Sequence, residues 1–101
     1  MSLVLTNRGL LILTSLASGP KHGHALMQDI EGFAGVSLSP GTLYGALSRL
    51  EDQGLVAPLP QVERRRPYQI TAEGGRALQA ELSERARLTG IALGRLAMDQ
   101  P

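Results

Sequence analysis

Apolar residues recur at helical spacing through the first half of the chain and give way to short β-prone runs after it. Leu10, Leu13, Leu16 and Ala17 form a stripe between Thr6, placed to cap a helix, and Gly19-Pro20, which stops one. A first helix is expected over 6–17. A second, more polar stretch over 22–33 carries Leu26, Ile30 and Phe33 on one stripe and ends between Gly32 and Gly35. Ser39-Pro40-Gly41 then reads as an N-cap followed by proline at the first helical position, where its fixed φ suits a helix and its missing N–H does no harm. The third helix, over 40–53, has Leu43, Ala46, Leu47 and Leu50 at i, i+3, i+4 and i+7, with Gly54 at its end.

Beyond Gly54 the period changes. Leu55-Val56-Ala57 and Tyr68-Gln69-Ile70 flank a proline- and arginine-rich segment over 58–67, which predicts a two-stranded hairpin with a long loop. Pro58, Pro60 and Pro67 confine pairing to strand edges or ends. Thr71-Ala72-Glu73 looks like a capped helix start, and the last helix is expected to run to about Ala97. Leu78 and Leu82 share a face of it, and Leu88, Ile91, Leu93 and Leu96 give a broad apolar second half, interrupted by Gly90 and Gly94. The fold class is therefore mainly α with a small β-hairpin wing: a winged helix-turn-helix over 1–75, followed by a C-terminal helix in 76–101.

Composition narrows the chemistry. The chain has 101 residues, which leaves room for one core. A monomer of this size buries only about 60 to 70% of the surface its unfolded chain exposes, so oligomerisation would be unsurprising. The absence of cysteine excludes disulfides, thiolate metal sites and a Cys nucleophile, and fits a cytoplasmic location. The longest apolar run, Leu10 to Leu13, is far short of a membrane span, and the start at Met1 to Val4 lacks the basic region of a secretory signal. A net charge of +1 means that any nucleic-acid binding must come from local clustering.

Helix order and local motifs converge. The run Leu43-Tyr44-Gly45-Ala46-Leu47-Ser48-Arg49-Leu50-Glu51-Asp52-Gln53-Gly54-Leu55-Val56 is followed by Arg64-Arg65-Arg66-Pro67-Tyr68, Ile70-Thr71 and Glu73-Gly74. Together with His22-Gly23 and Ser39-Pro40-Gly41-Thr42-Leu43-Tyr44, it closely resembles the PadR family of transcriptional regulators over about Arg8 to Arg76. The sequence departs from that pattern at His24-Ala25, where the family usually has an aromatic after the glycine, and its single short C-terminal helix is that of the family's small subgroup. The resemblance implies a homodimeric repressor of a pseudo-palindromic operator. It also implies that some relatives bind small aromatic effectors near the dimer interface. With no Trp and only Phe33, Tyr44 and Tyr68 aromatic, a stacking pocket of that type is not expected here, and an effector stays unknown.

The third helix is the candidate DNA reader, its apolar stripe on the core leaving Thr42, Gly45, Ser48 and Arg49 on the other side. Arg49 suits guanine O6 and N7 or a phosphate. Ser39, Ser48 and Thr42 suit base edges or backbone, and Gly45 allows close approach. Each also fits an ordinary solvated face. Tyr44 has two readings: its hydroxyl on a phosphate with the ring towards the first helix, or partial packing in the core. Arg64, Arg65 and Arg66 form the densest charge in the sequence, at a turn suited to phosphates or a minor groove. Lys21 and His22 are weaker phosphate candidates at a helix start. Tyr68 is expected to lay its ring on the wing with its hydroxyl at the surface. Leu78, Leu82, Leu88, Ile91, Leu93 and Leu96 are the expected dimer contacts.

Catalysis finds little support. His22 and His24 are two apart, on different sides of a helix, with no further ligand at zinc spacing, and no phosphate-binding loop or nucleophile constellation stands out. No metal, cofactor or enzyme activity is expected. The expected partners are double-stranded DNA and a second copy of the chain, with no membrane. The rival reading is a winged-helix module that binds a protein and touches DNA weakly.

Overall fold

A computed structural model describes residues 5–98. The start at Met1 to Val4 and the last three residues of the 76–101 segment lie outside the described residues.

Helix α1, Asn7–Leu16, begins where the Thr6 hydroxyl accepts from the Gly9 N–H at 3.0 Å. Its buried stripe is offset from the expected one. Ile12, Leu13 and Leu16 enter the core, Leu10 is only half-buried, and Ala17 is an exposed C-cap. Ser15 is buried beside them because its hydroxyl donates to Asp29 at 2.6 Å, so the polar atom does not go unpaired.

Helix α2, Gly23–Ala34, buries Leu26 and Ile30 and stops at Gly35, whose φ of 67° is the left-handed conformation that glycine adopts without strain. Phe33 continues the stripe in sequence yet is 48% exposed. Phe33 falls on the outer side of the last turn of α2, and its neighbour Ala34 and, beyond the helix, Leu38 meet the core instead. Helix α3, Pro40–Asp52, follows the pattern closely, with Leu43, Ala46, Leu47 and Leu50 all buried and Gly54 just beyond its end. Its start is closed by Ser39, which accepts from the Thr42 N–H at 3.2 Å.

Among the described residues the sheet has three antiparallel strands where two were expected: β1 Lys21–His22, β2 Val56–Pro58 and β3 Pro67–Ile70, in the order β1-β3-β2. Two residues are too few to show alternation, so β1 left no periodic signal; it exists because β3 offers it a free edge. His22 accordingly belongs to β1 and caps α2 rather than beginning it. Leu55, expected in β2, is a buried core residue just before it. The prolines keep to strand ends, Pro58 last in β2 and Pro67 first in β3.

Helix α4, Ala72–Met98, is the longest element and not a short one. The Thr71 hydroxyl accepts from the Gly74 N–H at 3.0 Å and donates to the Gly54 carbonyl at 2.7 Å, pinning the start of α4 to the end of α3. A side chain at Gly74 would collide with the Leu55 carbonyl, so glycine is needed for α4 to lie this close to β2. Leu78, expected as a dimer contact, is 8% exposed and part of the protomer's own core. The division expected between residues 75 and 76 thus falls inside α4 before its last buried residue. From Leu82 onward every large apolar residue of α4 is exposed, and the described chain stretches to 61 Å along its longest axis.

Candidate nucleic-acid interface

Four buried residues fix α3 to the core, which leaves its opposite side open. Ser48 and Arg49 are exposed there, and Thr42 and Gly45 are partly so. The Arg49 guanidinium reaches back along the helix, its Nη2 3.9 Å from where a Cβ on Gly45 would stand. Arg49 and Arg8 also line a shallow cleft between α3 and the start of α1. Ser39 and Thr42 are joined hydroxyl to hydroxyl at 2.9 Å, so the two side chains act as one polar corner at the helix start.

Tyr44 lies on the flank of α3 that faces α2 and the wing, 47% exposed. Its ring does not turn towards α1. The hydroxyl stands over Gly23, where any Cβ would collide with it, so the glycine at the start of α2 is the seat of this ring. Tyr68, on β3, is half-buried against the core. Burial, and then the Glu51 carboxylate, push its phenol above the ordinary tyrosine value. It therefore stays a hydroxyl donor at neutral pH.

The wing turns tightly. Val62 and Arg65 exchange two backbone hydrogen bonds of 2.8 Å, and the residues between them, Glu63 and Arg64, have φ of 49° and 67°. A hairpin turn with both central residues at positive φ has the twist of its strands, but it normally uses Asn-Gly; for Glu and Arg it costs roughly 1 kcal/mol per residue. That turn holds Arg64 at the tip. Arg65 extends back to His22, with Nη1 3.2 Å from Nε2, and Arg66 donates to the Leu59 carbonyl at 2.9 Å. The three arginines, His22, His24 and Tyr44 surround one cleft between wing and α2.

Lys21 is turned away from this surface. Its ammonium donates to the Ser15 carbonyl and to Ser18 Oγ at 2.7 Å, and lies 3.9 Å from Asp29. With those partners it ties β1 to α1 and α2. Sequence reasoning had no signal for this inward turn, because Ser15 and Asp29 are brought together only by the packing of α1 on α2. Gly23 and Gly74 were equally silent, their role visible only through the groups they admit. Among the described residues no helix is long and apolar enough to cross a membrane.

Comparison with known proteins agrees with this arrangement. The Transcriptional regulator PadR-like family matches residues 12–80. An uncharacterised 37.1 kDa protein in transposon Tn4556 of Streptomyces fradiae is 47% identical over 81 residues, 80% of this chain and 24% of that protein. The transcriptional activator GvpE of Haloferax mediterranei is 37% identical over 62 residues, 61% of this chain and 31% of its own length. The chain thus matches about a quarter to a third of each of these two relatives. Among solved structures, H. salinarum RosR superposes with a TM-score of 0.73 at 28% identity, covering 93% of this chain and 96% of that one. A PadR family transcription regulator from Clostridium difficile shares the fold, with a TM-score of 0.80 at 23% identity over 90% of this chain and 99% of its own. With the family matched across most of the core, this chain belongs to the PadR-like family of transcriptional regulators.

Proposed function

We propose that the protein is a homodimeric, cytoplasmic DNA-binding repressor that sets α3 of each protomer in successive major grooves of a pseudo-palindromic operator, and that it is not an enzyme. The observation that carries this reading is the two-sidedness of α3. One side is fully buried in Leu43, Ala46, Leu47 and Leu50, and the other presents Thr42, Gly45, Ser48 and Arg49 beside an arginine-rich wing. In this reading Arg49 reads a base, and Ser39, Thr42, Ser48 and Tyr44 contact bases or backbone. Arg64, Arg65, Arg66 and His22 take phosphates, with Tyr68 supporting the wing from beneath. Lys21 is left out, since its ammonium is engaged within the fold.

The distal part of α4 supplies the pairing. Leu82, Leu88, Ile91, Leu93 and Leu96 are 40 to 61% exposed, more apolar surface than a helix leaves bare without a partner. Pairing two copies of α4 covers it. The functional division is then between residues 1–75, which read DNA, and 76–101, which pair protomers, with Leu78 serving the first unit. Repression is the sign that the family resemblance implies, while the relative GvpE is named an activator.

Selection of bound sequences from a random duplex pool tests the reading. An enriched pseudo-palindrome with half-sites about 10 to 10.5 base pairs apart supports it. A pool that stays random, with retention insensitive to salt, supports a protein-binding module instead.

A further inference from the structure

Hydrogen-bond donors outnumber acceptors around His22. Its Nδ1 accepts from the Ala25 N–H at 3.3 Å and so caps α2, while Arg65 Nη1 stands 3.2 Å from its Nε2. A neutral imidazole has one lone pair, and a protonated one has none. If Nδ1 keeps the cap, the ring proton sits on Nε2 and faces the guanidinium N–H. If Nε2 accepts from Arg65, the Ala25 N–H loses its cap. No protonation state of the ring serves both neighbours. The cleft at this point, about 150 Å³, is lined further by His24, Tyr44, Arg64 and Arg66, and no carboxylate is among its lining residues.

A group that carries lone pairs and no protons resolves the conflict. We infer that the cleft seats one phosphate group, an oxygen of which accepts from His22 Nε2–H and from the Arg65 guanidinium at once, while Nδ1 retains the α2 cap. The inference rests on the DNA-binding reading and deepens it: the phosphate belongs to the duplex backbone, and His22 both caps the helix and donates to it. The wing and the start of α2, already joined through the pairing of β1 with β3, then share a ligand.

Asparagine is a good N-cap but too short to reach the cleft, so His22→Asn separates the two roles. We expect this variant to melt no lower than the wild type and to bind operator duplex about tenfold more weakly, as for loss of a hydrogen bond to a charged group. Arg65→Gln should show a similar loss and a salt slope lower by about 0.9. The double variant should lose little more than the worse single one, because both donors serve one phosphate. With inorganic phosphate as probe, the ring ¹⁵N signals of His22 should shift in the wild type and stay put in Arg65→Gln. Wild-type affinity in His22→Asn, or losses that multiply fully in the double variant, would overturn the shared seat while leaving the DNA reading intact. If His22→Asn does not fold, the Arg65→Gln slope and the phosphate titration decide. A wild-type protein that binds no duplex at any salt defeats the DNA reading, and the phosphate titration then decides the seat alone: an Arg65-dependent shift supports it and no shift overturns it.

Discussion

Helices α3 and α4 are both amphipathic, but α3 covers its apolar residues within the protomer and the distal half of α4 does not. In α3 the leucines at 43, 47 and 50 are at most 3% exposed; in α4 Leu88, Leu93 and Leu96 are each 61% exposed. The contrast lies in length. At 1.5 Å per residue a helix of 27 residues spans about 40 Å, longer than a three-helix core is wide, so its end projects beyond the core formed by the other described elements. On the proposed reading, a second copy of the chain covers the apolar residues left bare on α4, and DNA meets the polar residues that face out on α3.

Breaking the difference at α4 has the largest expected effect. Ending the chain after Ala80 keeps Leu78 and the hydrogen bonds of Thr71 and Gly74, so the core should stay folded by far-UV circular dichroism. Operator affinity should drop about 10²- to 10⁴-fold, because the second half-site no longer binds at high effective concentration. An unfolded truncated chain would mean that the distal helix covers its own core after all. Next, Leu47→Ala should destabilise the protomer by about 2 to 5 kcal/mol in urea melts, whereas Leu93→Ala in a dilute, monomeric sample should change little. Equal costs at the two positions would erase the contrast between the helices.

On the polar side, replacing Arg64, Arg65 and Arg66 together by alanine should weaken operator and random duplex alike and flatten the salt slope by about 0.9 for each phosphate no longer neutralised. Arg49→Ala should cost about 1 to 3 kcal/mol on operator and relax preference at one position of each half-site. Uniform weakening across sequences would make Arg49 a phosphate ligand. The smallest effect concerns Tyr68. Its folded pKa is raised, so the protonated phenol contributes stability that is fully present below the ordinary value near 10 and is lost as pH rises through the folded value. In Tyr44→Phe, where Tyr68 is the remaining tyrosine, phenolate absorbance at 295 nm should appear above pH 10; a midpoint at or below 10 would contradict the burial argument.

Much of this was legible along the chain. The α3 stripe and its cap were readable because Ser39-Pro40 and Gly54 mark a helix whose three leucines and Ala46 all face one core. α1 was shifted on its axis because Ser15 is polar by composition and buried by virtue of Asp29, a partner 14 residues away. Phe33 failed for the opposite reason, being apolar by composition and left at an edge by the length of α2. β1 was invisible since a two-residue strand has no period. At the site, the arginine cluster was plain from sequence, but its aim was not. The turn of Glu63 and Arg64 through positive φ, the reach of Arg65 to His22 and the inward fold of Lys21 all depend on neighbours that only the fold supplies.

Whether the uncovered half of α4 pairs two copies of this chain is decided by sedimentation equilibrium of the full chain against Leu88→Gln/Leu93→Gln/Leu96→Gln, since these changes touch no core residue. The full chain should be a dimer at micromolar concentration and the triple variant a folded monomer. A full chain that sediments as a monomer, or a triple variant that remains dimeric, would contradict the pairing.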